Sequence, residues 1–156
     1  MRIIADLKAG RLILPETVYP VSNRIRTLRD RTRKAYEIIR SIPDNLPYDP
    51  QPFPKGLWRI TDVEWNQGKG FDYPTYGPVK IRTDAWQQVN IWELDRDGDY
   101  LRETDQRVKD TCYWLHYSSF ATTLGCIRLA SPEDAVAIAN SIAAVLWDEP
   151  VELEVA

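Results

Sequence analysis

Histidine and cysteine are scarce in this chain. Among 156 residues there are one histidine and two cysteines, and their positions do not match the ligand spacings of zinc sites. Two cysteines are also too few for a disulfide framework. The composition therefore disfavours a metal site, and we expect no cofactor. It leaves open whether Cys112 and Cys126 are two free thiols or one disulfide bond.

Long apolar runs are absent as well. No stretch approaches the roughly 18 apolar residues that a membrane-spanning helix needs. The amino terminus carries Arg2, Asp6 and Lys8 where a signal peptide requires an apolar segment. We therefore predict neither a transmembrane segment nor an export signal. The location is thereby left open: the protein either reaches an outside compartment through delivery or processing, or it is cytoplasmic.

Charge is nearly balanced overall but uneven along the chain. Twenty basic and 23 acidic side chains give a net charge of −3, which offers no general electrostatic case for nucleic acid binding. The first 50 residues nevertheless hold ten basic and six acidic groups. Most of the basic ones lie in or beside a predicted amphipathic helix, residues 25–42, that ends before Pro43. This basic face is either an ordinary solvated helix face or a docking surface for an anionic polymer or membrane.

The rest of the sequence is typical of strands and turns, and its length fits a single domain, residues 1–156. Ser131 and Pro132 predict the capped start of a helix that continues to Leu146. We therefore predict a mostly β fold in which a bent mixed or antiparallel sheet forms a sandwich-like core, with one helix on the C-terminal side and one inserted basic helix. Alternation of apolar and polar residues predicts strands at residues 2–7, 11–14, 19–22, 56–63, 79–83, 89–94, 111–116 and 150–155.

Two of the predicted loops have unusual sequences. Residues 66–78 contain three glycines, two prolines and three aromatic residues; a loop of this length is either functional or a plain surface loop. Residues 95–99 resemble part of a calcium-binding loop, but the glycine comes too early and no glutamate follows at the twelfth position. This segment predicts a hairpin turn, with calcium binding as the alternative.

Cys126 and His116 are the candidate reactive pair. Cys126 lies in a turn before the capped helix, where the backbone amides of Gly125 and Cys126 can converge on a developing oxyanion. An imidazole within hydrogen-bond reach can take the proton of a thiol and lower its pKa, and His116 is the only histidine. The alternative is that Cys126 is a buried core residue and His116 a structural one.

Three further residues near the turn call for interpretation. Thr123 supports the turn or lines a groove. Arg128 either binds a substrate carboxylate or forms a structural ion pair inside the fold. Cys112 has the same strand parity as His116 and is interpreted as a packing residue, with a regulatory disulfide to Cys126 as the alternative.

The order of these elements resembles a known enzyme family. His116 is followed by the run TLGCIRL at residues 123–129, then by a helix and by a last strand that opens with proline and valine. This arrangement resembles the catalytic core of L,D-transpeptidases of the YkuD-like type. Residues 54–60 and the opening strands are similar to the family as well, whereas residues 23–53 have no counterpart in its minimal core and are interpreted as an insertion.

The resemblance implies a fold, a substrate and a mechanism. It implies a YkuD-like fold acting on peptidoglycan stem peptides. Cys126 would be the nucleophile of a thioester acyl-enzyme, His116 its acid–base partner, and the backbone of Gly125 an oxyanion donor. Arg128 and Thr123 would contact substrate, and the inserted basic helix would contact an anionic wall polymer. Attack on the thioester by an amine gives a cross-link, and attack by water gives a trimmed peptide.

Two other functions fit the same residues. One is a noncatalytic wall-binding or phage-structural module, for which Leu124 is the relevant feature because the family usually has histidine at that position. The other is a peptidoglycan hydrolase delivered by a phage or a secretion system. Both would share the fold and differ in turnover or product.

Overall fold

A computed structural model describes residues 1–25, 48, 50–94, 96 and 100–156. The predicted basic helix falls almost entirely on residues 26–47, and it therefore lies outside the described residues. Within the described part of the chain, no helix is long and apolar enough to cross a membrane.

Eight strands form one mixed sheet that closes into a barrel, in the order β1-β10-β4-β5-β8-β9-β3-β2. Two neighbouring pairs, β1 with β10 and β8 with β9, are parallel, and the other pairs are antiparallel. The mostly β fold class is thus confirmed. The barrel strands are β1 (Arg2–Asp6), β2 (Arg11–Ile13), β3 (Val18–Ser22), β4 (Gly56–Trp65), β5 (Val79–Thr83), β8 (Leu115–Tyr117), β9 (Ile127–Leu129) and β10 (Glu152–Val155).

A separate two-stranded hairpin consists of β6 (Gln87–Leu94) and β7 (Tyr100–Asp110), which pair antiparallel. The pairing agrees with the predicted turn between them, although β7 itself had no clear alternating pattern and was not predicted. An isolated antiparallel β-bridge joins Tyr48, which is outside the hairpin, to Ile91 of β6.

Two helices are described. The short helix α1 (Tyr73–Tyr76) lies within the glycine-rich segment 66–78, and α2 (Pro132–Ala143) follows β9. The N-cap of α2 is the predicted one, because the Ser131 hydroxyl accepts a hydrogen bond from the backbone N–H of Asp134 at 3.1 Å. Its buried residues pack in the same hydrophobic cluster as the buried residues of β5, β8 and β9.

The predicted strand at residues 111–116 was partly wrong. The strand found there is shorter and later, Leu115–Tyr117. The backbone of the preceding residues is used differently: the carbonyl of Cys112 and the N–H of Trp114 are hydrogen-bonded to the side chain of Cys126. The helix α2 also ends at Ala143, three residues before the predicted Leu146.

Leucine residues on two adjacent strands give a test of the core. Leu153 of β10 is 0% exposed, whereas Leu57 of the neighbouring β4 is 52% exposed. We expect Leu153→Ala to lower the free energy of unfolding by about 2–5 kcal/mol, because it leaves a cavity in the core. Leu57→Ala is the matched control and should change it by less than about 0.5 kcal/mol. Urea unfolding of both variants measures the difference, and equal effects would contradict the described packing.

Candidate active site on β5, β8 and β9

Three adjacent strands place polar residues side by side on one face of the sheet. Lys80 of β5 pairs with His116 of β8, and His116 pairs with Arg128 of β9. Their strand neighbours Leu115 and Ile127 are 0% exposed and belong to the hydrophobic core. Because side chains alternate across a strand, the charged row lies on the face opposite that core. Cys126 directly precedes β9 and meets this face beside Trp114.

The turn that carries Cys126 is held by its own side chains and by glycine. The Thr123 hydroxyl donates to the carbonyl of Cys126 at 2.8 Å, and it accepts from the Gly125 N–H at 3.4 Å. Gly125 has φ +133°, and a Cβ placed there would lie 2.8 Å from the ring of Tyr113. Only glycine fits this position without displacing the aromatic ring. These hydrogen bonds are consistent with support of the turn by Thr123, and a role in lining a groove stays a prediction.

Asn23 also fixes the turn, and sequence reasoning missed it. Its side-chain amide donates to the carbonyls of Gly125 and Cys126 at 2.8 and 3.0 Å, and its oxygen accepts from the Phe53 N–H at 3.0 Å. Phe53 is buried and its ring packs edge-on against Tyr113. The two ends of the segment interpreted as an insertion are thus bonded to each other at the turn. No local signal marks Asn23, because the two carbonyls that it binds are more than 100 residues away.

The sulfur of Cys126 is half-buried and hydrogen-bonded to the backbone. It accepts from the Trp114 N–H at 3.4 Å and donates to the carbonyl of Cys112 at 3.5 Å. Burial raises the pKa of the Cys126 thiol to about 12, and the Trp114 N–H only partly opposes that increase. The group is therefore a neutral thiol at pH 7.

His116 is buried and also neutral. Its side chain is 5% exposed, and its Nδ1 lies 2.8 Å from the carbonyl of Tyr117, so Nδ1 carries the proton and donates. Burial lowers the pKa of His116 to about 4, and the nearby Lys80 and Arg128 cations lower it further, whereas hydrogen bonding to the backbone of Tyr117 and of Thr75 opposes the decrease. The Nε2 atom then carries a lone pair at neutral pH.

The structure brings Cys126 and His116 to the same face, but it does not join them. Within the described residues, the hydrogen bonds of the Cys126 sulfur go to the backbone of Trp114 and Cys112, not to the imidazole. The pKa values of both groups also disfavour a thiolate–imidazolium pair. The ion pair expected from the sequence is therefore not formed in this structure.

The segment 66–78 covers this part of the sheet. Phe71 is buried, and the ring of Tyr76 packs edge-on against the His116 imidazole with centroids 5.1 Å apart. The carbonyl of Pro74 accepts hydrogen bonds from the backbone N–H and the hydroxyl of Ser119, both at 2.8 Å. The segment is thus fastened to the chain that follows β8, and it contributes to the burial of His116.

Lys80 was not predicted as a site residue, yet it lies at the centre of this cluster. Its ammonium group is 4.1 Å from the ring centroid of Tyr76, 4.3 Å from that of Phe71 and 5.3 Å from that of Trp114. Rings at such distances attract a cation through their electron-rich faces. The VKIRT strand pattern gave no sign of this role, because the lysine looks like an ordinary polar residue of an alternating strand.

Arg128 and Cys112 differ from some of their sequence interpretations. The Nε of Arg128 donates to the carbonyl of Ser118 at 2.8 Å, and its guanidinium lies over the ring of Tyr117. Arg128 thus has a structural contact, although with a carbonyl and not with the expected ion-pair partner. Cys112 and Cys126 are both free thiols, and Cys112 is half-buried, so it is not the core packing residue that we predicted.

The grouping of possible metal ligands and one surface cleft bear on this site. Among the described residues, no three histidine, cysteine or acidic side chains are grouped to hold a metal ion. A surface cleft of about 350 Å³ is lined by residues that include Arg59, Trp147 and Pro150, and none of its lining residues belongs to the cluster around Cys126.

Comparison with known proteins identifies the family. The family model of the L,D-transpeptidase catalytic domain, YkuD, matches residues 18–151. No curated protein matches the chain significantly. A solved structure of Bdellovibrio bacteriovorus Bd1075 is similar over 99% of this chain and 46% of that chain, at 13% identity and a TM-score of 0.46, so this chain spans less than half of its length. Because the family model covers most of the sequence, this chain belongs to the YkuD family of L,D-transpeptidase catalytic domains.

Proposed function

We propose that this protein is a cysteine-dependent L,D-transpeptidase or L,D-carboxypeptidase that acts on peptidoglycan stem peptides through a thioester on Cys126. Two contacts support the proposal most directly: His116 of β8 pairs with Arg128 of β9, and the sulfur of Cys126, two residues before Arg128, bonds to the backbone of Trp114, two residues before His116. Family membership supports the same reaction class. The bond to be opened is the one between meso-diaminopimelate and the terminal D-alanine.

The protonation states suggest how the reaction begins. A thiol with a pKa of about 12 and an imidazole with a pKa of about 4 do not exchange a proton before substrate arrives. His116 therefore acts as a general base whose Nε2 accepts the thiol proton as the sulfur attacks the carbonyl. The imidazolium then protonates the departing D-alanine amine, and a thioester remains on Cys126.

The turn supplies the groups that stabilise the oxyanion. The Gly125 N–H has a long hydrogen bond of 3.4 Å to the Thr123 hydroxyl, which it can exchange for a stronger one to a developing oxyanion. Asn23 holds the carbonyl of Gly125, which belongs to the same peptide group as the Cys126 N–H, the second expected oxyanion donor. Arg128 retains N–H donors beyond the one bound to Ser118, and it is our candidate for a substrate carboxylate.

A noncatalytic wall-binding module is the second candidate. The burial that keeps Cys126 as a thiol and His116 neutral favours it, as does Leu124 in place of the family's usual histidine. This candidate requires muropeptide binding without turnover. A delivered hydrolase is a third form of the enzymatic proposal and would differ only in using water as the acceptor.

Acylation of Cys126 is the direct test of the proposal. We expect the wild-type protein to gain the mass of an acyl group after incubation with a tetrapeptide stem or a carbapenem, and intact-protein mass spectrometry measures the adduct. Cys126→Ala and His116→Ala should both abolish it, because they remove the nucleophile and the base. Cys112→Ala is the matched control and should retain it, since the hydrogen bond of the sulfur goes to the backbone carbonyl of Cys112, which alanine keeps. An adduct that persists on Cys126→Ala would identify a different nucleophile.

Product analysis separates the enzymatic outcomes. We expect muropeptides incubated with the protein and an acceptor amine to yield a cross-linked product if the thioester is intercepted by amine, and a trimmed peptide if water intercepts it. Liquid chromatography with mass spectrometry distinguishes the two. Recovery of the substrate unchanged, together with measurable binding, would favour the noncatalytic module.

Burial of His116 should make stability depend on pH. The pKa of His116 is lowered in the folded state to about 4 from about 6.5, so the unfolded chain binds more protons between these values. The folded state should therefore lose stability as the pH falls from about 6.5 towards 4. Urea unfolding at pH 7 and pH 5 should show that wild type loses about 2 kcal/mol more than His116→Gln between the two pH values. An identical loss in both proteins would mean that His116 is not buried in its neutral form.

A further inference from the structure

Lys80 is a buried cation that forms no close ion pair among the described residues, although Glu64 on the paired strand β4 acts on its charge. Its side chain is 8% exposed, and among the described residues no carboxylate lies within ion-pair distance of its ammonium group. Arg82 on the same strand differs, because it is paired with Glu64. Aromatic rings compensate only part of the cost of burying a charge. The ammonium group of Lys80 would therefore stabilise a negative charge that develops close to it.

The deprotonated sulfur of Cys126 is such an anion. Lys80 and Cys126 interact electrostatically: the lysine lowers the pKa of the thiol, and the thiolate raises that of the lysine. Both groups lie against Trp114, whose ring faces Lys80 and whose backbone N–H donates to the sulfur. Tyr76 links them further, because its ring contacts both Lys80 and His116.

We propose that Lys80 is the counter-ion of the Cys126 thiolate, held in place by the rings of Phe71, Tyr76 and Trp114, and that it stabilises the negative sulfur during nucleophilic attack. Lys80 is a positioning residue in this role, since its charge acts through the sulfur and requires no contact with substrate. The inference rests on the proposed function for its use in catalysis. The electrostatic coupling itself can be measured without peptidoglycan.

Other titratable and charged groups also shift the pKa values of Lys80, Cys126 and the neighbouring His116. Cys112 and Asp110 at the end of β7 raise the pKa of Cys126. Glu64 on β4 raises the pKa of Lys80 and Arg82 lowers it. On the third side, Arg128 and Lys80 lower the pKa of His116. These groups remain unchanged when Lys80 alone is replaced.

Loss of the Lys80 charge and loosened packing around the site shift the pKa values of His116 and Cys126 in different ways. Removing a neighbouring cation raises the pKa of His116 and also raises that of Cys126. Loosening the packing also raises the pKa of His116, but it lowers the pKa of Cys126, because burial acts in opposite directions on an imidazole and a thiol. The direction of the Cys126 shift therefore distinguishes an electrostatic role from a structural one.

The experiment compares Lys80→Met with Lys80→Arg in full-length protein that carries Cys112→Ala, so that Cys126 is the one thiol. NMR titration of the single histidine gives the pKa of His116, and the rate of alkylation by iodoacetamide at a fixed neutral pH, followed by intact mass, reports the change in the pKa of Cys126 through its thiolate fraction. We expect Lys80→Met to raise both values. A shift of about one pKa unit for the thiol corresponds to about tenfold slower alkylation at neutral pH. Lys80→Arg should restore most of the rate.

Lys109→Met is the matched control. Lys109 also lies over an aromatic ring, that of Trp86 at 4.7 Å, but it is exposed on the β6–β7 hairpin. We expect it to change neither pKa. Lys80→Gln replaces Lys80→Met if the methionine variant does not fold.

Three results would overturn the inference. They are an unchanged thiol pKa in the neutral variants, opposite shifts of the two groups, or a wild-type sulfur that resists alkylation at every pH. Neither readout uses a wall substrate. If Lys80→Met raises both pKa values but the wild-type protein never forms a thioester, the proposed function is refuted and the Lys80–Cys126 coupling stands.

Discussion

The parallel pairing of β8 with β9 is the constraint on which the rest of the site depends. This register sets His116 beside Arg128 and brings Cys126 to the backbone of Trp114. The same register sends Leu115 into the core, so the reactive face cannot shift by one residue without exposing apolar side chains. The register of β8 with β9 therefore determines both the packing of the core and the placement of the candidate nucleophile. A parallel pair also needs a connection between its strands, and the turn with Cys126 ends that connection.

Burial gives this site its chemical character. The sulfur and the imidazole both lie in an environment that disfavours their charged forms, so the structure shows a neutral pair covered by the segment 66–78. Reaction then requires that charge develop in a poorly solvated place, where a fixed cation has a large effect. Lys80 is placed to have that effect, and the aromatic rings around it keep water away while they stabilise its ammonium group.

The two ends of the segment 23–53 change how that segment is understood. The sequence led to its interpretation as an insertion. Phe53 bonds to Asn23, and Asn23 in turn bonds to the turn before β9, where one amide satisfies two carbonyls. Buried backbone carbonyls need such partners. The segment thus begins and ends as part of the turn's support.

The sequence by itself named Cys126 and His116 as candidates, and it determined the local features: the mostly β class, the positions of most strands and the Ser131 cap of α2. Each depends on neighbours within a few residues, which leave a readable pattern. Only the tertiary structure decided the closure of the barrel, the support of the turn by Asn23, the aromatic rings around Lys80 and the neutral state of Cys126 and His116. These depend on contacts between distant segments and on burial, which no local spacing records.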